Sequence, residues 1–407
     1  MNTLPSQRMQ IIGLRKLVLR ILLPLAVIGV VVCLGLDWLV ENQIIQKTPS
    51  HGAAKLLRIR EPHPDEIPII GSSRALCSYI PDSLGTNYYN YGINGIGYAV
   101  MDVFLQQELA QRDKTGPIVL NFDYGMFYYQ TGDLNAYIPN LDIPGLRELV
   151  KRGGRYSGHL ELPGIRYFGC LDAFVRDHLN DRLQLTKAIN KGAVLEKQAI
   201  KAEEFAKLVN QRKDTVEKFE PRMELVDTLV KRIQAHPNRE FLIVMAPYHS
   251  SFYASISPEG RFRADSIMAA LDALPNARFI RFDTRDWADS LFFNTTHVGL
   301  AGARKMSQML RDSLRGPMLP KEDTLGQPIS MGEGGLELKR GGGLWPKADP
   351  AQASGTAISL RRATAKSKSR IPSPEAPSSV AMSRSLGAGS IVDAAGSPHC
   401  SLFILNC

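Results

Sequence analysis

Between residues 65 and 315, short apolar runs alternate with stretches whose apolar residues recur at helical spacing. Ile67–Ile70, Pro117–Phe122, Phe241–Ala246 and Ala277–Phe282 are largely apolar and Asn87–Tyr91 is aromatic, a pattern that predicts strands. Val100, Phe104, Leu105 and Leu109 predict a helix over Tyr98–Gln111. Leu300, Ala303, Met306, Met309 and Leu310 predict another over Gly299–Leu314. Continuous apolar strands separated by amphipathic helices imply a parallel sheet covered on both faces. The expected class is therefore α/β, a doubly wound parallel sheet, with its ligand site at the carboxyl ends of the strands.

The rhythm breaks over 130–236. Its first half is irregular and rich in Gly and Pro, and Ala193–Gln234 is charged and reads as mostly helical. This block is expected to be an insertion or a lid over the site. From 316 to 407 large apolar residues are scarce and Gly, Ser, Ala, Pro and basic residues abound, so a disordered tail is expected.

At the other end, Ile21 to Leu36 carries no charge, and apolar flanks extend the stretch to 17–40. That length suits a transmembrane helix. Pro24 stands near its start, where a helix tolerates it. Arg8, Arg15, Lys16 and Arg20 precede or open the stretch, and Asp37 and Glu41 follow. The charge asymmetry places residues 1–16 in the cytoplasm and the remainder outside. A cleaved signal peptide is the rival reading, but no small-x-small site follows the apolar run. Residues 41–64 read as a polar spacer, so the expected location is a membrane, with the α/β domain of 65–315 extracytoplasmic and the lipid bilayer as a partner.

Composition adds limits. The 407-residue chain has a formal charge of +9. Nine Lys and Arg against two Asp and Glu lie between Lys339 and Arg384, so the basic excess belongs largely to the tail. It gives no reason to expect a nucleic-acid partner for the folded part. The cysteines form no C-x-x-C pair and no Cys/His cluster, so neither a metal site nor a cofactor is expected.

Three stretches could carry chemistry. Gly71-Ser72-Ser73-Arg74 follows a strand directly. Ser73 there is either a helix cap or a nucleophile exposed at the sheet edge. Gly92, Gly95 and Gly97 stand between a strand and a helix, in a loop whose backbone N–H groups could hold an anion or an oxyanion. His297 precedes the last helix, with Asn294 three residues before it. His249, after the strand Phe241–Ala246, is the competing histidine.

In this order, the three stretches resemble the SGNH (GDSL-like) hydrolase superfamily. The resemblance is to its membrane-anchored extracytoplasmic branch, which includes the D-alanyl-transfer protein of teichoic acid biosynthesis and the alginate O-acetylation proteins. It spans roughly Ile67 to Leu314 and implies a flavodoxin-like three-layer sandwich. It implies Ser73 as nucleophile, Gly95 and Ser73 as oxyanion donors, His297 as base and Asn294 at the position where the family writes Asp. Arg74, Asn94, Asp123 and His249 are the candidate substrate contacts. Asp123 stands where the family places an oxyanion-binding Asn, and Asn121 is its neighbour in the strand. The implied activity is a serine esterase or O-acyltransferase acting on envelope polysaccharide through an acyl-enzyme. The alternative is a catalytically inactive relative that assists polysaccharide modification or assembly. Asn294 and Asp123 are the departures that keep this alternative open.

Overall fold

The computed structural model describes residues 17–315 apart from 112–113, 129–131, 133, 154–157, 198–199, 214 and 284. The expected cytoplasmic segment 1–16 and the expected disordered tail 316–407 lie outside the described residues.

The main sheet is fully parallel and contains β1 (Ile67–Ile70), β2 (Tyr88–Asn90) and β3 (Ile118–Phe122). A hairpin of β4 (Lys187–Asn190) and β5 (Ala193–Glu196) interrupts the chain before β6 (Phe241–Met245) and β7 (Ala277–Arg281) complete the sheet. Its order is β2-β1-β3-β6-β7, with every neighbouring pair parallel. Strand side chains alternate between two buried layers, as the two-residue period of a strand requires. Ile70, Ile118, Leu120, Phe241 and Ile243 join a core shared with the helices Gly52–Ile59, Tyr98–Leu109, Met223–Gln234 and Pro258–Asp272. Ile69, Val119, Leu242 and Val244 face the opposite layer, with Ala75 of the helix Ser73–Ser78, Tyr79 just after it, and Met306 and Leu310 of Leu300–Arg315. Both faces are covered, as a doubly wound α/β sandwich requires.

The block 130–236 is a smaller interruption than its composition suggests. Met223–Gln234 buries Leu225, Val226, Leu229, Val230 and Ile233 in the main core, so it is a layer helix of the sandwich. Its charged residues occupy the other face, which is why the segment reads as polar. Ala193–Glu196 is a strand, paired antiparallel with Lys187–Asn190, where a helix was expected. Gly192 at the hairpin turn lies so close to the Asn90 carbonyl that a Cβ there would overlap it.

Residues 41–64, expected as a spacer, are folded. One helix runs without a break over Val18–Ile45, long and apolar enough to cross a membrane. His51 caps the helix Gly52–Ile59 that follows. That helix buries Lys55 completely. The Lys55 ammonium donates to the carbonyls of Gly92 and Gly192, each at 2.6 Å, and so ties the glycine loop to the hairpin. Burial pushes its pKa from 10.5 down to about 7. A Lys55→Met variant leaves two buried carbonyls unsatisfied and is expected to lose about 2–4 kcal/mol of stability. The wild-type amine also makes stability depend on pH. The unfolded chain binds the proton below 10.5 and the folded chain only below about 7, so stability rises with pH across that window. Urea denaturation at neutral and alkaline pH should show this rise in the wild type and a flatter profile in Lys55→Met.

Candidate active site

The parallel order brings the carboxyl ends of β1, β2, β3 and β6 to one edge, and the chemistry-bearing residues collect there. The chain leaves β1 through Gly71, which has no room for a side chain. A Cβ would stand 2.5 Å from that of Ala75 and 2.7 Å from that of Asn121. The turn lets the helix Ser73–Ser78 start at once, and the two serines divide the roles that the sequence left open. Ser72 is the cap, its hydroxyl accepting from the Arg74 N–H at 3.3 Å. Ser73 is the first helical residue, half-buried, and its hydroxyl lies 2.8 Å from His297 Nε2. The first amides of a helix have no intrahelical acceptor, so the Ser73 N–H suits a developing oxyanion.

His297 is oriented from behind by Asn294. The Asn294 side-chain oxygen accepts from the N–H groups of Thr296 (2.9 Å) and His297 (2.8 Å) and from the Thr296 hydroxyl (3.0 Å). The two backbone donors are unambiguous, so this atom must be the oxygen and not the amide nitrogen. The same oxygen lies 3.1 Å from His297 Nδ1. That contact favours the Nδ1–H tautomer, leaving the Nε2 lone pair for the serine proton. Thr296, whose hydroxyl also lies 2.9 Å from Nδ1, joins the site with no sequence signal to announce it. Burial, and then the nearby Arg74 guanidinium, push the imidazole down from 6.5 to about 4. The ring is therefore neutral and able to accept a proton at ordinary pH, although it is a weak base.

Arg74 faces inward and offers no surface to a substrate. Only 4% of it is exposed. Its guanidinium donates to the carbonyls of Thr296 (2.5 Å), Ala246 (2.5 Å) and Pro247 (3.1 Å), and its carbon lies 3.3 Å from the Tyr248 ring centroid. The side chain is a strap joining the nucleophile's helix, the histidine turn and the end of β6. Among the described residues no acidic side chain forms an ion pair with it, and its guanidinium is directed at carbonyls where the sequence suggested a substrate contact.

Asp123 is also turned inward. It is buried and accepts from the Ser72 hydroxyl at 2.5 Å. Burial pushes its pKa up against the opposing pull of that bond and of Arg74. It braces the cap beside the nucleophile. Asn121, fully buried, accepts from the Tyr79 hydroxyl at 2.8 Å and packs beneath Gly71.

In the glycine loop, the Ile93 N–H donates to the Gly71 carbonyl at 3.0 Å, tying the loop to the end of β1. Gly92 packs against the backbone of Leu76 too closely for any side chain. Gly95 adopts the left-handed conformation, with φ of +70°, and both it and Asn94 are exposed. The competing His249 is buried between Phe205 and Phe292 and bonds to Ser251 and Asp289 (2.7 and 3.0 Å). The structure thus brings together Ser73, His297 and Asn294, and gives His249 a separate set of partners. Among the described residues, no group of three or more His, Cys, Asp or Glu is placed to hold a metal ion.

No family model matches the chain, and neither does any curated protein. Among solved structures it is similar to a protein described as a platelet activating factor from Streptococcus pneumonia. The identity is 12% and the TM-score 0.34, over 68% of this chain and 97% of that one. It is also similar to a family two carbohydrate esterase from Clostridium thermocellum, solved with cellohexaose. There the identity is 9% and the TM-score 0.27, over 62% of this chain and 64% of the esterase. The function has to be read from the site itself.

Proposed function

We propose that the protein is a membrane-anchored serine esterase or O-acyltransferase of SGNH type, acting outside the cytoplasm on acyl esters of envelope polysaccharide. The observation that carries this reading is the 2.8 Å contact between Ser73 Oγ and His297 Nε2. That distance is a nucleophile–base hydrogen bond at the active edge of an α/β sheet. In the proposed reaction Ser73 Oγ attacks the ester carbonyl and its proton passes to His297 Nε2. The backbone N–H groups of Ser73 and Gly95 receive the oxyanion. His297 returns the proton to the departing alcohol, leaving an acyl group on Ser73. Water or a sugar hydroxyl then attacks the acyl carbonyl, with His297 again taking the proton; the intermediate collapses by expelling Ser73 Oγ, which recovers that proton from His297 as the acyl product leaves. A fluorophosphonate probe tests the first step. Labelling of the wild type that disappears in Ser73→Ala supports it, and an unlabelled wild type overturns it.

One observation favours the inactive alternative: Asn294 supplies no charge to an imidazole already depressed to about 4. The two readings differ in their response to Asn294→Asp. A carboxylate keeps the same acceptor geometry and adds a charge that stabilises imidazolium. The acid limb of the pH–rate profile should lie between about 4 and the ordinary histidine value of 6.5 in the wild type, activity falling as His297 gains its proton. In Asn294→Asp the limb should move to higher pH, and kcat/KM at neutral pH should rise roughly 10- to 100-fold. If neither chain turns over any ester or transfers any acyl group, the assisting role is the better account.

A further inference from the structure

An apolar surface unrelated to the catalytic edge lies beside the foot of the long helix. Phe168 is 82% exposed and Leu185 79%. Between them the helix Leu171–Leu183 exposes Leu171, Val175 and Leu179 at intervals of four residues, one stripe along its length. The same helix turns its other face to the body of the protein. Asp181 accepts from Ser50, and His178 lies 3.1 Å from the Thr48 hydroxyl. The apolar stripe is therefore a defined face of a docked helix. A soluble surface seldom leaves so many large apolar side chains together in water.

The position of this face points to its occupant. Asp37 and Glu41, near the end of the apolar helix, pair with Arg166 at 2.9 and 3.4 Å, and Glu41 also accepts from the Tyr167 hydroxyl at 2.7 Å. Higher in the helix, Gly164 touches Cys33 so closely that a Cβ on the glycine would overlap it. Its φ of +83° is a second reason for glycine there. Cys33 lies inside the apolar span Val18–Ile45. At 1.5 Å per residue it lies about 6 Å along the helix axis from Asp37, the first charged residue after the apolar run. The segment that carries Ile165 and Phe168 is therefore held against the span at a depth within its apolar part. Interfacial helices bury their apolar face about 5–10 Å into the boundary between headgroups and acyl chains, which matches this offset. Arg176 and Arg182 are exposed on the same helix, and Arg176 lies 3.9 Å from Asp177; exposed basic side chains flanking an apolar face favour anionic lipid.

We infer that the exposed apolar face of residues 162–185 is a second membrane contact, seated in the interface of the leaflet beside the catalytic domain. The inference rests on the reading of Val18–Ile45 as an anchor. The contact would hold the domain at a fixed tilt against the bilayer, where one helix alone would let it rotate and lean.

The test uses the full chain reconstituted in phosphatidylglycerol–phosphatidylcholine nanodiscs. Photoreactive benzoylphenylalanine replaces Val30, Phe168, Leu185 or, as a control on the body, Val216, all exposed positions where the larger side chain can be accommodated. After irradiation, adducts are identified by mass spectrometry. Lipid adducts at Val30, Phe168 and Leu185, with none at Val216, support the inference. Lipid adducts at Val30 but none at Phe168 or Leu185 overturn it and leave the anchor standing. Protein–protein adducts at Phe168 in place of lipid also overturn it, by showing that a second copy covers the face. Absence of lipid adducts at Val30 sinks the anchor reading, and the inference with it.

Discussion

Replacing Ser73 by alanine is expected to lower ester turnover by on the order of 10^4- to 10^6-fold while leaving the fold intact. The hydroxyl lies at hydrogen-bond distance from a neutral imidazole that can take its proton. Alanine is well suited to the first turn of a helix and leaves the Ser72 cap in place. The contrast is Ser72→Ala. Ser72 caps the helix and donates to the buried Asp123, so its loss should cost about 1–3 kcal/mol in stability. It should reduce turnover only as far as Ser73 shifts. Thermal denaturation and single-turnover kinetics on both variants separate the two roles. Equal loss of turnover in both, or retention of turnover in Ser73→Ala, contradicts the assignment of nucleophile and cap.

Arg74→Met is expected to be the most damaging substitution that does not touch a reacting atom. It removes a buried cation but leaves three carbonyls, those of Thr296, Ala246 and Pro247, without their donor. The expected cost is about 3–5 kcal/mol, a large part of the 5–15 kcal/mol that a domain typically has in hand. The Thr296 carbonyl belongs to the turn that carries His297, so the base should drift from the serine. A displacement of about 1 Å is enough to cost roughly 100-fold in rate. The expected signature is a lower kcat with KM little changed and a lower melting temperature. Arg74→Lys should fall between, because an ammonium cannot span the three carbonyls or stack on Tyr248 in the same way. A raised KM with unchanged stability would instead identify Arg74 as a substrate contact.

The strands and the order of the three motifs were legible because each depends on local pattern. A buried parallel strand has to be apolar throughout, and the glycines at 71 and 92 answer to backbone approaches that exclude a side chain. His297 was paired with Ser73 through the family resemblance in the order of the motifs; sheet topology alone would have left His249, after the strand Phe241–Met245, as an equal candidate. Direction of side chains was harder to read. Arg74 and Asp123 both follow strands at that edge, and only the packing shows that both turn inward, one onto carbonyls and the other onto Ser72. Residues 41–64 read as a spacer because Lys55, Arg58 and Arg60 look solvated. Yet Lys55 is buried on carbonyls that lie far away in sequence, at Gly92 and Gly192. The helix Met223–Gln234 reads as part of the insertion for a similar reason: its exposed face is charged, and the buried face of Leu225, Val226, Leu229, Val230 and Ile233 emerges only in the packed core.

Arg166 and Tyr167 hold Asp37 and Glu41, tying the long helix directly to the folded body. An enzyme on a floppy leash sweeps a volume, and its chance of meeting a partner falls as the leash lengthens. A chain seated rigidly on its own post sweeps an annulus instead, by lateral drift and by spinning about the post. Its serine would meet only esters presented at one altitude above the lipid. The length of the post, then, would select among growing polymers by where along them the acyl group arrives.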